Sequence, residues 1–295
     1  MAGLGQASRA LQELRLLGLH GDEAQPVLSG DGTMRFELSG RRTVVTGASQ
    51  GLGASLVAEL RARGADVTPV SRGDEWEPAD FDCLFLNASF GLLQSSASSL
   101  GEDVREMFEV NVLRTIEQAH TALAAGASHV HVVGSNQSIV AAPASALYSA
   151  TKHAVRGWAY GSARELPGRV SISYPGGIAT NFFRNLRGDP AMLDDYLSRV
   201  AEASSNYDSP EGVAQGIVDG VYYCAREIIP TRFALDWFER NGEDVSRMWH
   251  PGLEQPSREE WDWWTLVRSH ALTSSPQAAK GGATSDRVAG SPATA

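Results

Sequence analysis

Residues 43–53 read Thr-Val-Val-Thr-Gly-Ala-Ser-Gln-Gly-Leu-Gly. The first four form a short apolar, β-branched run of the kind that makes a buried strand, and a helical pattern continues from Gly53 to Arg63. A glycine-rich turn between a strand and a helix lets a pyrophosphate approach the backbone, where the free N–H groups at the helix start favour an anion. We therefore expect a dinucleotide pyrophosphate to contact Gly47, Ser49, Gln50, Gly51, Leu52 and Gly53.

The same turn permits a second interpretation. Residues 47–51 also fit Gly-x-Ser-x-Gly, the nucleophile elbow of serine hydrolases, which likewise joins a strand to a helix. That elbow normally follows several strands, whereas this strand is the first of the pattern, and an elbow does not need Gly53. No later acid and histidine stand out as its partners, although Asp236 and His250 can be argued. A hydrolase using Ser49, and a turn that serves only the fold, remain as alternatives.

Composition limits the class of protein. The chain has 295 residues, of which 42% are hydrophobic and 20% charged, and a net charge of −10. This is globular composition, and the acidic balance argues against nucleic acid or an anionic membrane as the main partner.

No apolar stretch is long enough to cross a bilayer and no secretory signal is evident. The two cysteines, Cys83 and Cys224, fit neither a disulfide framework nor a metal site, so we expect a cytoplasmic protein.

Strand and helix patterns alternate from residue 41 onward. This order predicts an α/β fold, a single Rossmann-like domain with a doubly wound parallel sheet. We assign residues 1–40 to an N-terminal extension with a possible amphipathic helix near residues 4–14, 41–272 to the domain and 273–295 to a disordered tail. The further predicted strands cover residues 66–71, 82–88, 129–135, 170–174 and 227–230, the helices cover 102–123, 146–166 and 209–226, and residues 181–208 are rich in loops.

Tyr148 and Lys152 are four residues apart, so they share one face of a predicted helix. A nearby ammonium favours the phenolate, so we expect the pKa of Tyr148 to fall toward neutrality and the phenol to act as a proton donor or acceptor. Lys152 is one of only two lysines in the chain, beside 23 arginines. A random surface pair is therefore a weaker explanation of this spacing.

Six features of the sequence together resemble the short-chain dehydrogenase/reductase family, over about residues 41–230. They occur in the family's order: the glycine turn, Asn87-Ala88-Ser89, Asn111, Ser135, the Tyr148/Lys152 pair, and Pro175-Gly176-Gly177 with Thr180.

The resemblance implies catalytic roles for four residues. Tyr148 would exchange a proton with the substrate oxygen, and Lys152 would bind the cofactor ribose and lower the pKa of Tyr148. Ser135 would hydrogen-bond the substrate oxygen, with Ser138 a less suitable substitute. Asn111 would bend its helix and hold a water molecule that connects Lys152 to solvent. The nicotinamide cofactor would carry the hydride.

The resemblance also implies further binding residues and partners. Asn87, with Ala88 and Ser89, would line the ribose, and Ile178 and Thr180, with Gly176, would meet the nicotinamide. The segment 181–208, here named the lid, would cover the substrate, and its apolar content favours a largely apolar small molecule. An ordinary helix packed on the core is the alternative explanation of its apolar residues. Related proteins pair through the helices that carry Asn111 and Tyr148, so we expect a homodimer or homotetramer.

The end of the second strand indicates the cofactor. An acidic residue there would bind the ribose 2′-hydroxyl of NAD. This strand instead ends in Ser71-Arg72, and a guanidinium suits a 2′-phosphate, so we expect NADP(H) in preference to NAD(H). Asp74 and Glu75 nearby weaken this inference.

One segment departs from the family pattern. Only residues 73–81 separate the second strand from the strand that ends at Asn87, where relatives place a helix, a strand and another helix. Such a link reaches about 30 Å at most, and a crossover with a helix needs a dozen or more residues. We therefore expect the third strand and both helices to be missing. Asp74, Glu75 or a stacking Trp76 would then have to contact the adenine, and the N-terminal extension would cover exposed sheet.

These inferences predict an enzyme that interconverts a carbonyl and an alcohol with NADP(H). Two alternatives keep the fold: a nucleotide-binding scaffold without turnover, and a cofactor-assisted epimerase or dehydratase. No metal is expected, because His129 and His131 share one side of a strand without a third ligand.

Overall fold

The computed structural model describes residues 27–28, 34–98, 100–203, 207–244, 248 and 250. The predicted helix near residues 4–14 and the predicted tail from residue 273 lie outside the described residues. No helix in the described ranges has the length and hydropathy that a membrane span requires.

Ten strands are present in the described residues. They are β1 (Val27–Leu28), β2 (Met34–Arg35), β3 (Arg42–Thr46), β4 (Asp66–Val70), β5 (Cys83–Leu86), β6 (Leu92–Leu93), β7 (His129–Val133), β8 (Val170–Ser173), β9 (Arg187–Gly188) and β10 (Glu227–Ile228). Six of them form one parallel sheet in the order β10-β8-β7-β5-β3-β4. The remaining four make two small pairs, β1 with β2 and β6 with β9.

Seven helices connect the strands of the described chain. They are α1 (Gly51–Ala62), α2 (Glu102–Phe108), α3 (Thr115–Ala124), α4 (Ala146–Glu165), α5 (Pro190–Ala203), α6 (Pro210–Tyr222) and α7 (Arg232–Arg240). Between α2 and α3 lies a π-helical segment, Glu109–Arg114, within what the sequence predicts as one continuous helix. The predicted α/β architecture with a parallel, doubly wound sheet is confirmed.

The sheet is buried on both faces, because helices cover each side of a parallel sheet. Every residue of the central strands β5, β7 and β8 is buried. Successive residues alternate between two core clusters: Val44 packs in one with Leu84 and Ile172, whereas Val45 packs in the other with Leu56.

The expected loss of the third strand and its two helices is confirmed. In the described chain β4 is the edge of the sheet, and only a short 3₁₀ turn, Pro78–Asp80, intervenes before β5. The link itself covers the exposed side, because Trp76 and Phe81 both pack against the core and their ring centres are 6.1 Å apart.

Two local expectations need correction. The segment 181–208 is not mainly loop, because it contains β9 and the four-turn helix α5. The end of the N-terminal extension also belongs to the core: Phe36 and Leu38 are buried against Leu56 and Val221, and the Phe36 N–H donates to the Tyr222 carbonyl at 2.8 Å.

Candidate active site

The glycine turn between β3 and α1 has a backbone that other residues would disrupt. Gly47 and Gly51 lie at φ +66° and +55°, in the left-handed region that favours glycine. A Cβ on Gly53 would lie 2.2 Å from the Gly47 carbonyl oxygen, so only glycine fits there. Helix α1 begins without a side-chain cap, since its N-cap residue Gln50 makes no capping hydrogen bond. The first backbone N–H groups of α1 therefore have no side-chain acceptor from Gln50 and are available to a ligand.

Asn87 ties this turn to the end of β5. Its side-chain amide donates to the carbonyls of Thr46 and Gly47, at 3.1 and 3.2 Å. The Thr46 hydroxyl in turn accepts from the backbone N–H groups of Asn87 and Ala88, at 3.0 and 3.1 Å. These hydrogen bonds hold the glycine turn and the Asn87-Ala88-Ser89 loop in a fixed position relative to each other.

A cavity of about 1080 Å³ opens at the carboxyl ends of the strands. This is the position where open α/β sheets bind ligands, and the volume is at the upper end for ligand sites. The cavity is lined by most of the predicted site residues: Gly47, Ser49, Gln50, Gly51, Leu52, Gly53, Ser71, Arg72, Asn87, Ala88, Ser89, Ser135, Tyr148, Gly176, Ile178 and Thr180. Lys152 and Asn111 are buried behind this lining, at 3% and 2% exposure.

The Tyr148 phenol does not have the low pKa that its spacing from Lys152 predicts. Burial raises its pKa above the ordinary value, and a hydrogen bond with Ser135 opposes this only in part. Lys152 Nζ lies 5.6 Å from the centre of the Tyr148 ring. Burial therefore dominates over the charge of Lys152, and Tyr148 is a protonated phenol at neutral pH.

Lys152 is itself strongly affected by burial. Its ammonium donates to the Val133 carbonyl at 3.1 Å, and burial lowers its pKa to about 8. An ammonium has three N–H donors. Two remain beyond the Val133 bond, and hydroxyl groups of a ribose are suitable acceptors for them.

Ser135 and Ser138 have different surroundings. Ser135 lines the cavity beside Tyr148, and its hydroxyl donates to Asn136 Oδ1 at 3.0 Å. Ser138 is fully buried, and its hydroxyl accepts the backbone N–H of Ser135 at 3.1 Å. The arrangement favours Ser135 over Ser138 as the residue that meets a substrate.

Asn111 lies in the π-helical segment, where a widened turn departs from regular helix geometry. Its side chain accepts from the Phe90 N–H at 3.1 Å and donates to the Phe90 carbonyl at 2.9 Å. It also donates to the Thr151 hydroxyl at 3.2 Å, next to Lys152 along α4. Asn111 thus joins the loop after β5 to helix α4. Its expected contact with a water molecule stays a prediction.

Arg72 is exposed and lines the cavity where β4 ends. Asp74 also lines the cavity, and its carboxylate accepts the Ser71 N–H at 2.7 Å, which closes the turn. Trp76 and Arg114 also line the cavity. In the described chain β4 is the edge of the sheet, with no third strand beside it.

Sequence reasoning did not find Arg187, which fastens the lid. Strand β9 pairs with β6, and the Arg187 guanidinium bonds Asp103 at 2.9 Å and Glu106 at 2.5 Å. It also lies 4.2 Å from the centre of the Phe90 ring. An Arg-Gly pair within a loop-rich segment carries no sequence signal for such contacts.

The substrate side of the cavity is aromatic. The Phe182 ring is 5.9 Å from both Tyr148 and Phe183, and Phe183 contacts Tyr196 and Tyr207 at 6.1 and 5.4 Å. All five rings line the cavity. A substrate that reaches Tyr148 therefore passes between apolar faces.

His129 and His131 pack within the sheet. His129 Nδ1 donates to the Gly168 carbonyl at 2.9 Å, so its Nε2 accepts from the Ser171 hydroxyl at 2.7 Å. Ser171 then accepts from His131 Nδ1 at 2.8 Å, and His131 Nε2 accepts from Ser173 at 3.0 Å. Every polar atom of this ladder is paired. No group of three or more His, Cys, Asp or Glu in the described residues is arranged to hold a metal.

The hydrolase interpretation finds no support in this geometry. Ser49 is exposed at the mouth of the glycine turn. In the part of the chain that the structure describes, no histidine or acidic side chain hydrogen-bonds to its hydroxyl, although Asp236 and His250 are both in that part.

Comparison with known proteins supports the fold. The model of the short chain dehydrogenase family matches residues 75–191. A short chain dehydrogenase from Burkholderia cenocepacia in complex with NADP has a TM-score of 0.57 at 23% identity, covering 72% of this chain and 96% of that chain. A short chain dehydrogenase/reductase from Burkholderia phymatum in complex with NAD has a TM-score of 0.58 at 18% identity, covering 75% of this chain and 98% of that chain.

Levodione reductase has a TM-score of 0.54 at 19% identity, covering 65% of this chain and 96% of that chain. The three structures share the fold with this chain. A search of curated proteins finds no match.

The fold and the matched family model indicate an NAD(P)-dependent oxidoreductase. Over residues 75–191 the chain is similar to the short chain dehydrogenase family.

Proposed function

We propose that this protein interconverts a carbonyl and an alcohol on a largely apolar small molecule, with NADP(H) as the preferred cofactor. One observation carries the proposal: a protonated Tyr148 phenol lies in the same cavity as a glycine cradle, with the Lys152 ammonium buried behind it. This combination suits proton transfer beside a bound dinucleotide.

The residues at the carboxyl end of the sheet fit a dinucleotide. The uncapped start of α1 and the close approach of Gly53 to Gly47 leave a concave surface of N–H groups for a pyrophosphate. Asn87 would line the ribose nearest the turn, and Lys152 would donate to the hydroxyls of the nicotinamide ribose. Ile178 and Thr180, with Gly176, would contact the nicotinamide. The bound cofactor would supply or accept the hydride.

The protein contributes position and a proton. In the reductive direction the Tyr148 hydroxyl donates its proton to the substrate oxygen, because burial keeps the phenol protonated. The Ser135 hydroxyl, rotated away from Asn136 Oδ1, donates a second hydrogen bond to that oxygen and so orients the carbonyl. The charge of Lys152 favours the phenolate that remains on Tyr148. In the oxidative direction the same phenolate removes the proton of the alcohol.

Arg72 supports the preference for NADP(H). Its guanidinium lines the cavity directly after β4, the strand end that lies beside the adenosine ribose in this fold. Asp74 also lines the cavity, but one of its carboxylate oxygens accepts the Ser71 N–H at 2.7 Å. A planar, permanently charged guanidinium suits a phosphate at this position.

Trp76 is proposed as the wall of the adenine site. The third strand, which would normally border the adenine, is missing, and the link after β4 places Trp76 along the cavity instead. The ring is held in place by Phe81 and the core. An indole offers a flat face on which a base stacks.

The direct test is to purify the protein, identify any nucleotide that copurifies by mass, and measure oxidation of NADPH with a panel of aryl and alkyl ketones and aldehydes. We expect NADP(H) in the mass spectrum and carbonyl-dependent oxidation of NADPH. Ester hydrolysis that needs no nicotinamide and is lost in Ser49→Ala would instead establish the hydrolase. Tight cofactor binding without turnover on any carbonyl would favour the scaffold.

A further inference from the structure

Gln137 lies beside the catalytic residues without a role in the proposed chemistry. It sits in the 3₁₀ turn Asn136–Ser138 that directly follows Ser135. Its backbone N–H donates to the Ser135 hydroxyl at 3.2 Å, and it lines the cavity together with Ser135 and Tyr148. Gln137 is therefore at the cavity surface beside Ser135.

Two hydroxyl groups of the catalytic helix region fix the orientation of the Gln137 amide. Gln137 Oε1 accepts from Ser145 at 2.8 Å and from Ser149 at 2.6 Å. The Ser149 hydroxyl accepts the Ala142 N–H at 3.3 Å, so its own proton is directed to Gln137. Both lone pairs of Oε1 are thus used. The amide nitrogen, on the other arm of the planar amide, points away from the two serine hydroxyls.

The amide nitrogen carries two N–H donors. In the described residues, neither makes a hydrogen bond to the protein. A bound ligand would displace water from these two donors. A donor that has lost its water and has no other partner raises the free energy of the complex, so a ligand with an acceptor at this point binds better. A ligand without an acceptor at this point would incur that cost.

We infer that Gln137 is a specificity-determining residue that donates a hydrogen bond to a second oxygen of the substrate. This inference rests on the proposed function. The Gln137 backbone is bonded to Ser135 at 3.2 Å, so we place the second oxygen near the reacting carbonyl, and a vicinal dicarbonyl is the substrate class that has two neighbouring oxygens. The Phe182 ring beside Tyr148 favours an aryl or alkyl substituent on the same molecule.

The test uses two probes that differ by one carbonyl: the vicinal diketone phenylpropanedione and the monoketone propiophenone. The variant Gln137→Glu keeps an oxygen for Ser145 and Ser149 but replaces the amide donors with an acceptor. We expect it to raise the KM for the diketone relative to the monoketone by about tenfold or more, because a hydrogen bond is lost and two acceptors then face each other. The value of kcat should change less than KM.

Gln215→Glu is the matched control, because it adds the same charge at an exposed position on α6 outside the cavity. Gln137→Leu removes the donors without adding charge, and should shift the same KM ratio by about two- to tenfold. Melting temperature checks that each variant is folded. An unchanged ratio in both folded Gln137 variants would overturn the inference.

A separate outcome would identify failure of the proposed function. If the wild-type protein reduces neither ketone, the carbonyl chemistry fails, and the role of Gln137 is decided by binding. The dissociation constants of the two ketones for the NADP-bound protein are then measured by calorimetry. Tighter binding of the diketone that disappears in Gln137→Glu supports the inference, and equal affinity in wild type and variant contradicts it.

Discussion

Lys152 Nζ lies 5.6 Å from the centre of the Tyr148 ring, and both side chains are buried. Their pKa values are displaced in opposite directions: burial raises that of the phenol and lowers that of the ammonium to about 8. The resting pair near neutral pH is consequently a neutral phenol beside a cation, which is the protonation state that carbonyl reduction requires.

Tyr148→Phe removes the proton donor and retains the ring. We expect the rate of carbonyl reduction to fall by at least about a hundredfold, because general acid catalysis contributes on that order. The affinity for NADPH, measured by fluorescence titration, should remain nearly the same. A variant that keeps most of the wild-type rate would show that Tyr148 is not the acid.

The pH dependence of reduction should follow Lys152. Below pH 8 the ammonium is charged and reduction is fast, and above that pH the rate should decline as Lys152 loses its proton. Alcohol oxidation should instead increase with pH, since it needs the Tyr148 phenolate, whose pKa lies above its ordinary value. The measurement is kcat/KM in both directions from pH 6 to pH 10 in one buffer series. Parallel profiles in the two directions would contradict this assignment.

Arg72→Ala should weaken NADPH much more than NADH. A charge-assisted hydrogen bond contributes roughly 1.5–3 kcal/mol, so we expect NADPH affinity to fall by about ten- to a hundredfold. Arg240→Ala, on the exposed end of α7, is the control and should affect neither cofactor. Equal weakening of both cofactors by Arg72→Ala would show that Arg72 does not contact the 2′-phosphate.

Trp76→Ala should weaken binding of AMP but leave that of nicotinamide mononucleotide intact. Stacking of a base on an aromatic ring contributes about 1–3 kcal/mol, so the affinity for AMP should fall by about five- to a hundredfold. Trp158, which lies on α4 outside the cavity, provides the control substitution Trp158→Ala. If Trp76→Ala weakens the binding of both AMP and nicotinamide mononucleotide, the substitution has disturbed the edge of the sheet and the result does not report stacking on Trp76.

The histidine ladder predicts loss of stability in mild acid. Burial lowers the pKa of His129 from 6.5 to about 4 in the folded chain, and that of His131 also falls. The unfolded chain therefore binds more protons below pH 6.5, so stability is complete above that pH and declines toward pH 4. His129 alone should account for on the order of 3 kcal/mol.

Urea unfolding at a series of pH values measures this decline. The variant His129→Gln does not titrate at that position, so its free energy of unfolding should depend less steeply on pH in the same window. An identical slope in variant and wild type would mean that other groups cause the acid sensitivity.

Much of the fold follows from local sequence rules. The link of residues 73–81 is too short for a helical crossover, so the lost strand could be predicted from length alone. Helix α5 could also have been found: Asp189 caps it by accepting the Ala191 N–H at 2.9 Å, and Pro190 occupies its first turn. The loop-rich composition of residues 181–208 obscured that signal.

Other properties of the site depend on tertiary surroundings. The spacing of Tyr148 and Lys152 correctly predicts that they are neighbours, but it contains no information on burial, which decides the direction of both pKa changes. The orientation of Gln137 depends on two serines that follow it by 8 and 12 residues across a turn. No residue pattern of the helix or strand type reports such a contact.

The edge strand β4 has a consequence for self-association. Pro69 lies within β4 while the strand keeps its full register with β3, so the proline nitrogen, which has no hydrogen to donate, faces outward. A further strand from another molecule would therefore meet an interrupted set of donors there, and side-by-side joining of sheets into larger aggregates is disfavoured. The edge of the shortened sheet therefore disfavours the strand-by-strand addition that builds fibres. If two copies pair, they would do so through helices.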